Sequence, residues 1–131
     1  MTLRPLIYFL LLLLTISCNH QQTPVYQVVD ATTFAQNIET TTSPQIIDVR
    51  TPEEYNQEHL VNAKNIDWNG NNFDNEVAKL DKTAPVFVYC KSGGRSQKAA
   101  AKLTELGFEK VYELEGGFMQ WNAEGLKSNK N

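Results

Sequence analysis

With 131 residues, 41% of them hydrophobic and 21% charged, the chain has the size and composition of one domain with its own core. The net charge is −3 and the Lys and Arg residues are scattered rather than gathered in a stripe, which argues against nucleic acid as a partner. Two histidines and two cysteines without ligand spacing give no metal site to predict.

Residues 1–17 read as a signal peptide. Arg4 precedes an apolar run at 6–14. A membrane span needs about 18 or more apolar residues, so this run fits the h-region of a signal peptide instead. Residues 18–24 read as a short polar tether and 25–131 as the domain. Residues 25–29 begin it as a first strand. Asp30 caps a helix whose apolar face is Ala31, Phe34, Ala35 and Ile38. Residues 39–44, with three threonines, form a loop, and 45–49 a buried strand. Thr51-Pro52-Glu53-Glu54 is a capping box opening a short helix to Gln57. Glu53, Glu54 and Glu58 read as its solvated face. A brief strand at 63–66 and a Gly/Asn-rich loop at 67–72 lead to a third helical face, Phe73, Val77 and Leu80. Pro85 opens the central strand at 86–89, a place where proline is tolerated. A helix from Ser96 to Leu106 buries Ala99, Ala100, Leu103 and Leu106, and Gly107 stops it. Residues 111–114 form the last strand, and Gly116-Gly117 turns into a final helix carrying Phe118 and Trp121. Strands alternating with helices predict an α/β fold of three layers. Its core is a five-stranded, mostly parallel sheet with helices on both faces.

The chemistry concentrates at 88–96. The apolar run ends on Cys90, and open α/β sheets place ligands at the carboxyl ends of their strands. Gly93 and Gly94 permit positive φ and close approach of a ligand. Lys91 and Arg95 add cations, and the amides of Ser92 to Ser96 form an anion-binding concavity with the first turn of the helix. The same field favours thiolate over thiol. A lone cysteine at a strand end is commonly a small buried hydrophobe. Two glycines, two cations and a helix start within six positions favour the reactive reading.

The segment CKSGGRS, 90–96, closely resembles the active-site loop of single-domain rhodanese-like sulfurtransferases. IIDVRTPEEYNQEHLVNAKNI, 46–66, is similar to the segment those domains carry upstream, and LEGGFMQWNAEG, 114–125, to their C-terminal signature. The resemblance implies a rhodanese-like fold and transfer of a sulfane sulfur through a persulfide on Cys90. Lys91, Ser92, Gly93, Gly94, Arg95 and Ser96 would bind the donor. The expected partners are a small anionic sulfur donor and a thiol or cyanide acceptor, with a monomeric protein and no cofactor. Asp48 and Arg50 carry the family's Asp-Val-Arg and are expected to support the loops. His59 is expected to be structural, and Trp68 is a core candidate with the site mouth as its alternative. Ser17-Cys18, directly after the h-region, resembles the lipobox of bacterial lipoproteins, with Thr15 where an aliphatic residue is usual. That implies acylation of Cys18 and anchoring to a bacterial membrane facing the periplasm. The alternative is an ordinary cleaved signal peptide and a soluble periplasmic protein. Two rival activities stay open. One is a persulfide carrier for a dedicated partner. The other is a phosphatase or arsenate reductase on the same fold, whose loop is one residue longer than the one here.

Overall fold

Three apolar runs become the three buried strands, and the rest of the chain packs on their two faces. The structure is a computed structural model and describes residues 25–130. The expected signal peptide, the tether and Cys18 lie outside the described residues. The strands are β1 (Gln27–Val29), β2 (Gln45–Asp48), β3 (Glu58–Leu60), β4 (Lys64–Asn65), β5 (Val86–Tyr89), β6 (Val111–Leu114) and β7 (Ser128–Lys130). The helices are α1 (Ala31–Thr40), α2 (Pro52–Gln57), α3 (Phe73–Val77), α4 (Gly94–Glu105) and α5 (Gly117–Ala123). Five strands form one sheet in the order β1-β6-β5-β2-β4, every pair parallel. This is the predicted architecture.

β5 lies between β6 and β2, and all four of its residues are fully buried. Its side chains alternate between faces, as a pleated strand requires. Val86 and Val88 join Ile47, Val111 and Cys90 under α3 and α4, where Phe73, Val77, Ala99, Ala100 and Leu103 close the core. Phe87 and Tyr89 join Ile46 and Leu114 under α1 and α5, against Phe34, Phe118 and Trp121. Phe34 meets Phe87 edge-on at 5.4 Å and an interplanar angle of 86°, a favoured aromatic geometry.

The predicted caps are present. Asp30 accepts the Thr33 amide at 2.7 Å. Thr51 and Glu54 form both halves of the capping box. Several boundaries differ from the sequence reading by a few residues, and three of them have a local cause. α1 runs on to Thr40, whose hydroxyl bonds back to the Gln36 carbonyl at 3.0 Å. α3 ends at Val77, and Leu80 packs on the core from the turn that follows. α4 starts at Gly94, two residues early, because Gly93 takes the N-cap place at φ 114°. One pairing was not foreseen. β3 and β7 form an antiparallel ribbon, with His59 opposite Asn129. Three polar-rich residues on each side carry no alternation to read.

Beside the central strand lies a buried ion pair. Asp48 is fully buried and Arg50 is 4% exposed. Asp48 accepts from the Arg50 amide, from its Nε and from its Nη2, the last at 2.6 Å. Tyr89 donates its hydroxyl to Asp48 at 2.6 Å and accepts the Leu60 amide at 3.1 Å. Arg50 Nη2 also reaches the Glu58 carbonyl at 2.7 Å. These bonds join the ends of β2, β3 and β5. Tyr89→Phe removes the hydroxyl and leaves the Leu60 N–H buried without its partner, so unfolding in urea should show a loss of about 1–3 kcal/mol. An unchanged midpoint would mean the hydroxyl ties nothing together.

Candidate active site

Cys90 follows the last residue of β5, and its side chain belongs to the core face beneath α4. It is 1% exposed. The loop then turns through Gly93, whose φ of 114° is left-handed backbone that favours glycine. That turn aims the Gly93 amide at Cys90 Sγ, 3.1 Å away. Ser96, in the first turn of α4 and fully buried, places its hydroxyl 3.2 Å from the same sulfur. Burial acts to raise the thiol pKa. Hydrogen bonds from the Ser96 hydroxyl and from the amides of Ser96, Gly93 and Ser92 outweigh it, and the net shift is downward. Cys90 is therefore biased toward thiolate.

The first turn of α5 braces this loop from the other side. Phe118 donates its amide to the Cys90 carbonyl at 2.8 Å, and Met119 to the Lys91 carbonyl at 3.0 Å. Such close contact needs Gly117. A Cβ there would stand 2.6 Å from both carbonyl oxygens, and its φ is 59°. The sequence reading took Gly116-Gly117 only as a turn. Its second glycine is where backbone meets the back of the loop.

Arg95 is not a free charge at the rim. It donates Nη1 and Nη2 to the two carboxylate oxygens of Glu54, at 2.7 and 3.1 Å. Glu54 is correspondingly not part of a solvated face. The Arg95 hydrogen bonds pull its pKa to about 2 despite partial burial. The bidentate pair fastens α2 to the start of α4. Lys91 is exposed and forms no ion pair among the described residues, so it is the unpaired cation of the loop. A cavity of about 330 Å³ opens beside it, lined by Arg50, Glu54, Glu58, Lys91, Phe118 and Met119 among others.

Asp48 faces Arg50 and Tyr89 rather than Cys90. Arg50 reaches the cavity wall, with its guanidinium 4.4 Å over the Phe118 ring. Ser92 and Gly94 are exposed on the loop. His59 bonds the Tyr55 carbonyl through Nδ1 at 3.0 Å and stacks on that ring at 3.9 Å. Trp68 packs edge-on against Phe73 at 5.0 Å, away from the mouth. Among the described residues no cluster of His, Cys, Asp or Glu is arranged to hold a metal.

One residue at the site was not singled out from sequence. Glu113 on β6 is fully buried, and its Oε1 lies 2.5 Å from the Ser96 hydroxyl. Its Oε2 has no partner. Burial raises its pKa, Ser96 offsets part of that, and Glu115 adds to the rise, leaving it at about 7. The available signal was parity: in Val-Tyr-Glu-Leu the acid shares the inward face of Val111.

The chain matches the Rhodanese-like domain family over residues 30–124. It is 42% identical to Thiosulfate sulfurtransferase GlpE of Coxiella burnetii over 86 residues, spanning 66% of this chain and 78% of that protein. It is 39% identical to the protein of the same name from Shewanella oneidensis over 80 residues, 61% of this chain and 77% of that protein. Among solved structures it is similar to a rhodanese-related protein of Thermoplasma volcanium. The TM-score is 0.70 at 27% identity, covering 79% of this chain and 98% of that one. A rhodanese-like domain protein from Staphylococcus aureus gives a TM-score of 0.66 at 27% identity, over 77% and 96% of the two chains.

The Glu54–Arg95 pair makes a prediction about acid stability. The folded pKa of Glu54, about 2, lies below its ordinary value of 4.5. The stabilisation is therefore fully present above the ordinary value and is lost as pH falls through about 2. The difference in Tm between wild type and Glu54→Gln should be largest near neutral pH and close as pH falls through this window. A difference that stays constant across it would show that the pair is held by packing alone.

Proposed function

Since the chain belongs to the Rhodanese-like domain family, we propose that it is a rhodanese-type sulfurtransferase that carries the transferred sulfur on Cys90. The observation that carries this reading is the buried Sγ at the end of the central strand, hydrogen-bonded by the Gly93 amide and the Ser96 hydroxyl. Sulfur transfer needs a stabilised thiolate facing an anion-binding loop, and this loop supplies both. The relatives named for thiosulfate make thiosulfate the first donor to test.

The Cys90 thiolate attacks the sulfane sulfur of thiosulfate or a polysulfide. A bond forms from Sγ to that sulfur as its bond to the leaving group breaks, and sulfite or a thiolate departs with the electron pair. The loop amides and Lys91 receive the negative charge on the donor and then on the persulfide. A thiol or cyanide attacks the outer sulfur and returns Cys90 as thiolate. Both steps are two-electron displacements at sulfur, and the cycle is ping-pong. The loop that follows Cys90 is one residue shorter than the one the resemblance gives to phosphatases and arsenate reductases on this fold. That favours sulfur transfer over the phosphatase or arsenate reductase reading.

Incubation with thiosulfate should add one sulfur to the intact mass of the protein, removable by cyanide. Cys90→Ser should lose both the adduct and turnover. Adduct without turnover on free acceptors would identify a carrier for a dedicated partner instead. Lys91→Gln should lower kcat/KM for thiosulfate about tenfold, the size of a charged hydrogen bond, and should reduce its sensitivity to salt. Equal constants for wild type and Lys91→Gln would assign donor binding to the amides alone.

We also propose acylation of Cys18 and a membrane-anchored, extracytoplasmic location. The support is the h-region at 6–14 ending at Ser17-Cys18. The full chain expressed in a bacterium should enter the detergent phase and carry lipid on Cys18. Recovery as unmodified soluble protein would refute the anchor. Two acyl chains are expected, because one binds a membrane only marginally.

A further inference from the structure

The Ser96 hydroxyl has one hydrogen and three acceptors around it. They are Cys90 Sγ at 3.2 Å, the Gly93 carbonyl at 3.1 Å and Glu113 Oε1 at 2.5 Å. A hydroxyl donates to one acceptor at a time. If Glu113 is ionised, the hydrogen goes to the nearer carboxylate and Sγ loses it. If Glu113 is protonated, the carboxyl donates to Ser96 Oγ and the Ser96 hydrogen is free for the thiolate. The second arrangement also suits Oε2, which is buried without a partner. A charge on that oxygen would be costly, whereas a neutral acid is tolerated.

We propose that Glu113 is a positioning residue that takes up the Cys90 proton through the Ser96 hydroxyl, so that thiol and carboxyl hold one negative charge between them. In this exchange Ser96 passes its hydrogen to Oε1 and receives the one from Sγ. The thiol becomes thiolate, the carboxylate becomes a neutral acid, and the hydroxyl is restored. A second ionisation would place two negative charges at either end of one hydroxyl, so each group raises the pKa of the other. Rising pH therefore does not simply favour the nucleophile, because it first has to overcome this repulsion.

No cation interrupts the pair. On α4, Arg95 is bound to Glu54 and Lys102 to Asp74, while Lys98 is exposed. β5 contributes Val88 in register with Glu113, and β1 contributes Val28. Tyr26 packs in the same core, and Glu115 on the following turn adds only negative charge.

This inference rests on Cys90 being the reactive thiol, but its test needs no sulfur donor. The thiolate is followed by its ultraviolet absorbance and by its rate of alkylation across pH. In wild type it should appear over a broad, two-step range. In Glu113→Gln, a fixed neutral side chain, it should appear in one step with the upper component moved down by about one to two pH units. Ser96→Ala should raise the thiol pKa, and adding Glu113→Gln to it should bring a smaller downward shift than Glu113→Gln brings alone. A second measurement leaves Glu113 intact: its side-chain carboxyl is titrated by carbon NMR in wild type and in Cys90→Ala. Coupling is reciprocal, so loss of the thiol should lower the Glu113 midpoint by the same one to two units or so. A Glu113→Gln thiol that titrates as wild type overturns the proposal, as does a Glu113 midpoint that ignores the thiol. If the coupling is present but no donor ever loads Cys90, the sulfurtransferase reading fails and this one stands.

Discussion

The sulfur of a cysteine that is 1% exposed must either remain a thiol or be surrounded by donors. Desolvation alone would push its pKa up, and the loop 90–96 is arranged against that tendency. Gly93 takes a left-handed turn so that its amide meets Sγ, and α4 begins at once so that Ser96 meets it too. Neither donor is placed correctly unless the loop backbone is held. Gly117 holds it, by letting α5 press its first amides onto the Cys90 and Lys91 carbonyls. The Glu54–Arg95 pair holds the far end of the loop against α2. Strand, two helix starts and an ion pair thus converge on one atom from separate parts of the chain.

The sheet separates two buried acids and treats them oppositely. Asp48 shares a face with Tyr89, where Arg50 and the Tyr89 hydroxyl satisfy it. An acid so fully bonded is structural. Glu113 shares the opposite face with Cys90, has one hydroxyl for company, and keeps one oxygen unbonded. Natural proteins leave few buried polar atoms unpaired, so this exception beside the thiol invites a chemical explanation rather than a structural one. β5 stands between the two systems. It keeps the Arg50 charge on the Asp48 side, and the hydrogen bonds to Cys90 come from neutral donors, with the Glu54-bound Arg95 acting through space.

Much of this architecture is written in local sequence. The runs at 45–49, 86–89 and 111–114 have no polar alternation because both faces of the sheet are covered. The caps at Asp30 and Thr51 satisfy their own helix ends within three residues. The loop is legible for the same reason: Cys90, Gly93 and Ser96 meet within seven positions. What could not be read depends on distance along the chain. Glu54 is 41 residues from Arg95, and a Glu-rich first turn looks solvated until its partner arrives. The β3–β7 ribbon joins segments whose pairing no periodicity announces. Glu113 was hidden by its neighbours, since one acid in an apolar strand is ordinarily placed outward.

The donors fall into two sets, and the proposed reaction uses them in turn. The Gly93 amide and the Ser96 hydroxyl are directed at Sγ itself. Forming a persulfide removes the charge from Sγ and moves it one bond outward. The inner donors then face a nearly neutral atom, and in the proposed cycle the charge on the outer sulfur would fall to the exposed loop residues Lys91, Ser92 and Gly94. The Ser96 hydrogen, released by Sγ, can turn to the Gly93 carbonyl. Departure of the outer sulfur reverses each of these changes. An inner set aimed at the thiolate and an outer set open to the persulfide would serve the two resting states of the proposed cycle in turn, as a two-step carrier of sulfur requires if neither state is to trap it.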